Sequence, residues 1–235
     1  MDKVVGVLGG LGPEATKVMF ERIIEMTPAQ TDSEHIRVII DSNPKIPDRT
    51  QAILHGGESP VNAMSETART LQGAGANFII IPCMTAHFFR DEVAKSVDVP
   101  ILDAFGLVAE YITKNYPTVK NVGVIATSGS IKSGLYNRNF ENFTLIVPDD
   151  DVQEKVVMEL IYGKQGLKAG VKNKDNLMDL DSIANHLRNK GAEIIIAGCT
   201  EIGIIASKFE GGLPVVDPLD VLAMKTVEMV KGTHS

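Results

Sequence analysis

Two thiols are the residues of this chain best suited to chemistry. Cys83 and Cys199 are the only cysteines among 235 residues, and neither stands at metal-ligand spacing from another cysteine or from a histidine. A zinc site therefore lacks its signature, and in a reducing compartment a structural disulfide is not expected. Each cysteine closes the same pattern, Gly75-Ala76-Asn77-Phe78-Ile79-Ile80-Ile81-Pro82-Cys83 in one half and Gly191-Ala192-Glu193-Ile194-Ile195-Ile196-Ala197-Gly198-Cys199 in the other. Two acid/base groups of matched chemistry suit one task in particular. One removes a proton from one face of a carbon while the other returns a proton to the opposite face, which inverts a stereocentre. The plainer alternative is a pair of small buried hydrophobes copied together by a duplication.

The duplication extends beyond the thiols. Val5-Gly6-Val7-Leu8 parallels Val122-Gly123-Val124-Ile125, and Pro100-Ile101-Leu102-Asp103 parallels Pro214-Val215-Val216-Asp217. The offsets are 117 from Gly6 to Gly123, 116 from Cys83 to Cys199 and 114 from Pro100 to Pro214. The chain is therefore two copies of one unit, each about half its length.

The elements that must carry these motifs follow from the apolar pattern. Residues 4–8, 36–41, 78–81, 122–126, 143–147 and 194–197 are β-branched runs bounded by Gly, Pro or Asp, as buried parallel strands are. Residues 14–26, 60–73, 151–162, 177–190 and 218–230 read as helices, with Pro60 and Pro218 at starts and Gly73 and Gly191 at ends. Alternating strands and helices give an α/β fold with mainly parallel sheets, here two pseudo-symmetric open lobes. Ligands of such sheets bind outside the carboxyl ends of the strands. If the lobes face one another about a pseudo-twofold axis, the thiols come from opposite sides of one cleft. A thiol at a helix start is expected to be acidified by the dipole and free N–H groups there.

Composition narrows the class further. Hydrophobic residues make up 44% and charged residues 23% of the chain, enough apolar material for a packed core. The formal charge of −7, from 23 Lys+Arg and 30 Asp+Glu, gives no general attraction for nucleic acid or anionic lipid. No apolar run approaches the roughly 18 residues of a membrane span, and the start is too short and glycine-rich for a signal peptide. A cytoplasmic protein acting on a small molecule is expected.

Several segments resemble the aspartate/glutamate racemase superfamily, and its aspartate racemase branch in particular. They are Gly9-Gly10-Leu11-Gly12-Pro13-Glu14-Ala15-Thr16, Pro47-Asp48-Arg49-Thr50, Pro82-Cys83-Met84-Thr85-Ala86-His87, Ile161-Tyr162 with Gly166-Leu167-Lys168-Ala169-Gly170, and Gly198-Cys199-Thr200-Glu201-Ile202. The resemblance runs the length of the chain. It implies cofactor-independent racemisation of an acidic amino acid, without metal, by a homodimer in which Cys83 and Cys199 alternate as base and acid. It also implies that the last helix returns to the first lobe, giving domains of 1–104 with 218–235 and of 105–217.

Carried over by position, Arg49, flanked by Asp48 and Thr50, matches the arginine that takes a substrate carboxylate with its two-toothed fork. Lys168 matches a second cationic contact, although Lys164, Lys172 and Lys174 also fit a solvated basic loop. Met84, Thr85 and Ala86 follow the first thiol and Thr200 the second, where hydroxyl and backbone donors suit a carboxylate or a helix cap. Thr127 and Ser128 end the second opening strand and are weaker candidates on the same grounds. His87, four residues after Cys83, is placed to tune that thiol or to serve structure alone. Glu201, Asp103 and Asp217 are candidates to orient the site, with turn formation sufficient for the aspartates. One departure stands out: Met84 replaces the asparagine usual in the superfamily, and its sulfur offers only a weak acceptor and no donor.

Three other readings remain open from the residues. A broad-specificity or glutamate-accepting racemase, or a one-thiol isomerase or decarboxylase, stays within the superfamily. A non-catalytic amino-acid-binding protein would make Met84 a mark of lost chemistry. Gly10-Leu11-Gly12-Pro13-Glu14-Ala15 also fits a dinucleotide fingerprint, which would make the chain a nicotinamide-dependent oxidoreductase. That reading leaves the cysteine repeat unexplained, and Pro13 removes one N–H from any phosphate cradle.

Overall fold

A computed structural model describes residues 3–206 and 212–232. Among the described residues seven strands form two wholly parallel sheets: β1 (Val5–Gly9), β2 (Val38–Ser42) and β3 (Phe78–Ile80) in order β2-β1-β3, and β4 (Asn121–Ile125), β5 (Thr144–Ile146), β6 (Ile194–Ala197) and β7 (Val215–Val216) in order β5-β4-β6-β7. Within the described residues the chain divides into two compact units, one running to Leu107 and resuming at Leu219, the other spanning Val108–Pro218. Among the described residues no helix is long and apolar enough to cross a membrane.

The repeat read in the sequence is a repeat of strand register. Val5 pairs with Phe78 and Val122 with Ile194, so the cysteine-bearing strand lies beside the opening strand in the same phase in each unit. The Pro-Ile-Leu-Asp and Pro-Val-Val-Asp motifs run along the far side of those strands. Ile195 pairs with Val215 as β7, whereas the first unit keeps only a single bridge, Ile79 to Ile101. Prolines cannot donate to a ladder, but their carbonyls accept here. The N–H of Ile79 donates to Pro100 O at 2.8 Å and that of Ile195 to Pro214 O at 2.9 Å.

Each residue of the shared Gly-Ala-Asn/Glu opening has a structural duty. Gly75 and Gly191 end their helices in the left-handed region, at φ +98° and +99°, where a Cβ would be strained. Ala76 and Ala192 then donate back to Leu71 O and Leu187 O at 3.0 Å, the six-to-one bond of a Schellman end. The helix Val61–Gly73 ends at Gly73, where the sequence places its end, and the left-handed glycine stands two residues further on, at Gly75. A Cβ on Gly6 would lie 2.9 Å from that of Ala76, and one on Gly123 would lie 3.1 Å from that of Ala192. The opening valine-glycine strands therefore need glycine because the incoming chain packs on them. Finally, Asn77 Oδ1 accepts the N–H of Val4 at 2.7 Å, and Glu193 Oε2 accepts those of Lys120 and Asn121 at 2.8 and 2.7 Å, fixing the strand starts.

Strands β1, β3 and β6 are buried throughout, as sheets covered on both faces require, while β2 and β5 are partly exposed. Leu8, Met64, Leu71 and Ile79 anchor the core of the first unit, and Ile125, Leu160, Ile183 and Ile195 that of the second. Helices Pro13–Met26, Val61–Gly73, Lys174–Asn189 and Pro218–Lys231 lie where the apolar spacing predicts them, within three residues. The segment expected as one helix over 151–162 is interrupted by a π-helical turn, Gln153–Val157, between Asp150–Val152 and Met158–Tyr162. Short helices Arg49–Leu54, Ser128–Lys132, Leu135–Asn139 and Thr200–Ala206, and the longer Ala104–Asn115, are not predicted by the spacing.

Candidate functional site

Both thiols lie past the carboxyl ends of equivalent strands, Cys83 three residues after β3 and Cys199 two after β6. Both are packed into the core of their own unit, 7% and 5% exposed. They are free cysteines, and among the described residues no cluster of His, Cys, Asp or Glu is arranged to hold a metal.

The chain after the two thiols differs. Cys83 leads into a 3-10 turn, Thr85–Phe89, and only then into the helix Arg90–Ala94, whereas Cys199 directly precedes the helix Thr200–Ala206. Four residues on, His87 is buried, with Nδ1 3.0 Å from the carbonyl oxygen of Cys83. That bond requires the proton on Nδ1 and fixes the tautomer. Burial pushes the imidazole below its ordinary pKa against the pull of the Cys83 carbonyl, so His87 is neutral. It holds the main chain of the thiol residue, with Phe105 edge-on at 5.8 Å.

Around Cys199 the side chains form a charged chain of contacts. Its Sγ donates to Glu201 Oε2 at 2.9 Å, and the hydroxyl of Thr200 donates to the same oxygen at 3.2 Å. The other carboxylate oxygen accepts from Lys168 Nζ at 2.6 Å. Lys168 is delivered by the 3-10 turn Leu167–Ala169 and lies over the ring of Tyr162, 5.4 Å from its centroid. Burial pushes the Cys199 thiol well above its ordinary pKa, and the Glu201 charge adds to that. Burial also opposes ionisation of Glu201, but Lys168 and the thiol proton outweigh it and hold its carboxyl below the usual range. This overturns the expectation that a helix start acidifies both thiols: at Cys199 desolvation and a carboxylate prevail over the dipole.

Arg49 opens the helix Arg49–Leu54, capped by the Asp48 carboxylate, which accepts the Gln51 N–H at 2.8 Å. Its guanidinium is buried and faces main-chain carbonyls. Nη2 donates to Leu11 O at 2.8 Å, and Nη1 to Pro47 O at 3.0 Å and Ile46 O at 3.4 Å. Arg49 thus ties the loop before it to the glycine-rich turn after β1. The glycines of that turn serve packing: Gly10 has φ +86° with the backbone of Asn43 where a Cβ would stand, and the side chain of Thr16 closes over Gly9. Thr16 accepts the Gly10 N–H at 2.9 Å and donates to Gly12 O at 3.1 Å. These duties explain the Gly-Gly-Leu-Gly-Pro segment without a dinucleotide.

Met84, Thr85, Ala86 and Thr50 are buried beside these elements. Thr127 caps the helix Ser128–Lys132 by accepting the Ser130 N–H at 3.1 Å. Ser128 donates to Glu154 at 2.8 Å. Asp103 accepts the N–H of Phe105 and pairs with Arg90 at 3.1 Å, the turn-forming duty that suffices for it. Asp217 is buried with its carboxylate against Gly203, where a Cβ would not fit.

Three further residues of the second unit are not singled out by the sequence. Gln153 donates to Ala126 O at 3.0 Å, from the π-helical turn that no spacing rule marks. Tyr136 sets its hydroxyl against Gly198, leaving no room for a side chain before Cys199. Tyr162 carries Lys168; its place in a matched motif is the only signal that could have pointed to it.

A family model described as Asp/Glu/Hydantoin racemase matches residues 8–226. The chain belongs to the Asp/Glu/hydantoin racemase family. Among curated members it is 25% identical over 231 residues to the broad specificity amino-acid racemase RacX of Bacillus subtilis (strain 168), covering 95% of this chain and 96% of that one. Among solved racemase structures, the Picrophilus torridus aspartate racemase superposes with a TM-score of 0.80 at 29% identity, over 96% of this chain and 94% of that one. An aspartate racemase homologue from Pyrococcus horikoshii OT3 gives 0.74 at 26% identity, over 98% and 100%. The two-sheet α/β architecture is thus that of the racemases.

Proposed function

We propose that the chain is a cofactor-independent amino-acid racemase that interconverts L- and D-aspartate, Cys83 and Cys199 exchanging protons with the α-carbon. The observation that carries this reading is the pair of thiols past the ends of register-equivalent strands, β3 and β6, in a member of the racemase family. One thiolate takes the α-proton while the other thiol donates its own to the opposite face of the carbon, and the reverse direction swaps the roles. The resemblance to an aspartate racemase supports the acidic substrate.

Within this reading, Lys168 and Arg49 supply the cations for a dianionic substrate, and Asp48, Thr50, Met84, Thr85, Ala86, Thr127 and Thr200 line the substrate. Lys168 is held by Glu201 and Tyr162, which argues for a built cation rather than a solvated loop. For Arg49 to take a carboxylate it must give up or share carbonyl partners, so its part in binding includes ordering the turn at Leu11. The working enzyme is a homodimer in this proposal.

A second reading, broad substrate specificity, is favoured by Met84. The buried thioether offers no donor to a side-chain carboxylate, and the similar Bacillus protein is named for broad specificity. A panel of amino acids in D₂O, read by loss of the α-proton signal and chiral analysis, separates the two. Exchange confined to aspartate supports the first, and equal exchange with apolar amino acids supports the second.

A further inference from the structure

The two copies of the unit have diverged beside their thiols. Two residues past Cys83 stands Thr85, whereas two past Cys199 stands Glu201; four past stand His87 and Gly203. A carboxylate therefore contacts only one of the two sulfurs through its own motif. We propose that Glu201 is a positioning residue that keeps the proton on Cys199 in the unliganded protein, so that Cys199 enters turnover as the acid and Cys83 as the base. The proposal rests on the two-thiol reading of the function and assigns its starting state.

The geometry is that of a donor facing a fixed acceptor. Sγ stands 2.9 Å from Glu201 Oε2, both residues are buried, and Lys168 holds the other oxygen at 2.6 Å. A thiolate at this place would set two buried anions against one another, with the Lys168 charge already matched by the carboxylate. The other groups around it do not change that balance. Tyr136, from the helix Leu135–Asn139, stays neutral because burial pushes its phenol up, and Lys168 lies over the Tyr162 ring. The Asp217 carboxylate lies against Gly203, one turn further on. Glu201 also takes the Thr200 hydroxyl at 3.2 Å, which fixes the carboxylate without supplying a proton to remove.

The proton count follows. Cys83 thiolate takes the α-proton and becomes a thiol, and the carbanion takes the proton of Cys199, which becomes the thiolate beside Glu201. The protein returns to its starting state when Cys83 releases its proton to solvent and Cys199 takes one back.

The chain has two cysteines, so Cys83→Ser leaves Cys199 as its single thiol. The ultraviolet absorbance of the thiolate is titrated against pH for Cys83→Ser, for Cys83→Ser with Glu201→Gln, and for Cys83→Ser with Glu201→Thr, which copies the other unit. Circular dichroism confirms that each is folded. The expected midpoint of Cys83→Ser lies above the free-thiol value of about 8.5. Either Glu201 substitution is expected to lower it, and a midpoint that falls by about one on the pH scale gives about tenfold more thiolate at any pH below it. Identical titrations with and without Glu201, or a Cys199 midpoint at or below that of a free thiol, would overturn the proposal. The titration uses no substrate, so it stands or falls apart from whether the protein racemises aspartate.

Discussion

Cys199 donates its thiol proton to the carboxylate of Glu201 across 2.9 Å, inside the second unit and away from solvent. That contact makes the two cysteines of a duplicated chain unlike. The partner thiol, Cys83, has its main chain held by a neutral histidine. A chain built from two copies of one unit thus carries two unlike thiols.

Replacing either thiol should remove racemisation by a factor of about 10²–10⁴ or more, the usual worth of a general acid or base. Cys83→Ser and Cys199→Ser are each expected to retain, at most, exchange of the α-proton from one enantiomer. Proton NMR in D₂O with separate L- and D-aspartate checks this, and a variant with full activity would remove its cysteine from the mechanism.

Lys168 and Glu201 are expected to be coupled in stability as well as in function. Lys168→Met leaves a buried carboxylate without its cation and should cost roughly 1–3 kcal/mol, moderated because the lysine side chain is 22% exposed. Adding Glu201→Gln should recover part of that loss. Urea unfolding of the two single variants and the double variant measures it, and strict additivity would show that the ion pair carries no coupling.

Arg49→Ala strips donors from three main-chain carbonyls, of Leu11, Ile46 and Pro47. A loss of about 1–3 kcal/mol follows if those carbonyls stay buried. Arg49→Lys should recover only part of it, since an ammonium does not reproduce the fork. An unchanged melting temperature in Arg49→Ala would mean that the arginine serves the ligand alone.

Burial holds His87 below its ordinary pKa, so the unfolded chain binds a proton there at pH values where the folded chain does not. Its contribution is complete above about pH 6.5 and is lost as the pH falls below that, towards its folded value. The difference in stability between wild type and His87→Gln should therefore shrink as the pH is lowered from about 7.5 to about 5. A difference independent of pH would mean that the imidazole is not held neutral.

Much of the fold was legible because the repeat copies backbone duties. The Gly-Ala-Asn/Glu opening recurs since it ends a helix, packs on Gly6 or Gly123 and clamps a strand start, all of which leave marks in residue type. The thiols were legible for the same reason. The helix Ala104–Asn115 was not, although Asp103 caps it and Phe105, Val108 and Ile112 recur at helical spacing, because Gly106 interrupts the pattern. The partners within the site were less visible still. Lys168 meets Glu201 from 33 residues away, and the guanidinium of Arg49 turns to carbonyls that any sequence offers. Gln153 is aimed by a π-helical turn, a register change that residue spacing does not announce. Contacts made by side-chain direction across distant loops are set by tertiary packing.

The most direct measurement is proton NMR of the purified protein with L-aspartate in D₂O, without added pyridoxal phosphate, followed by chiral analysis. Loss of the α-proton signal with D-aspartate appearing is the predicted result. Neither exchange nor inversion, with aspartate or across a panel of other amino acids, would contradict the account.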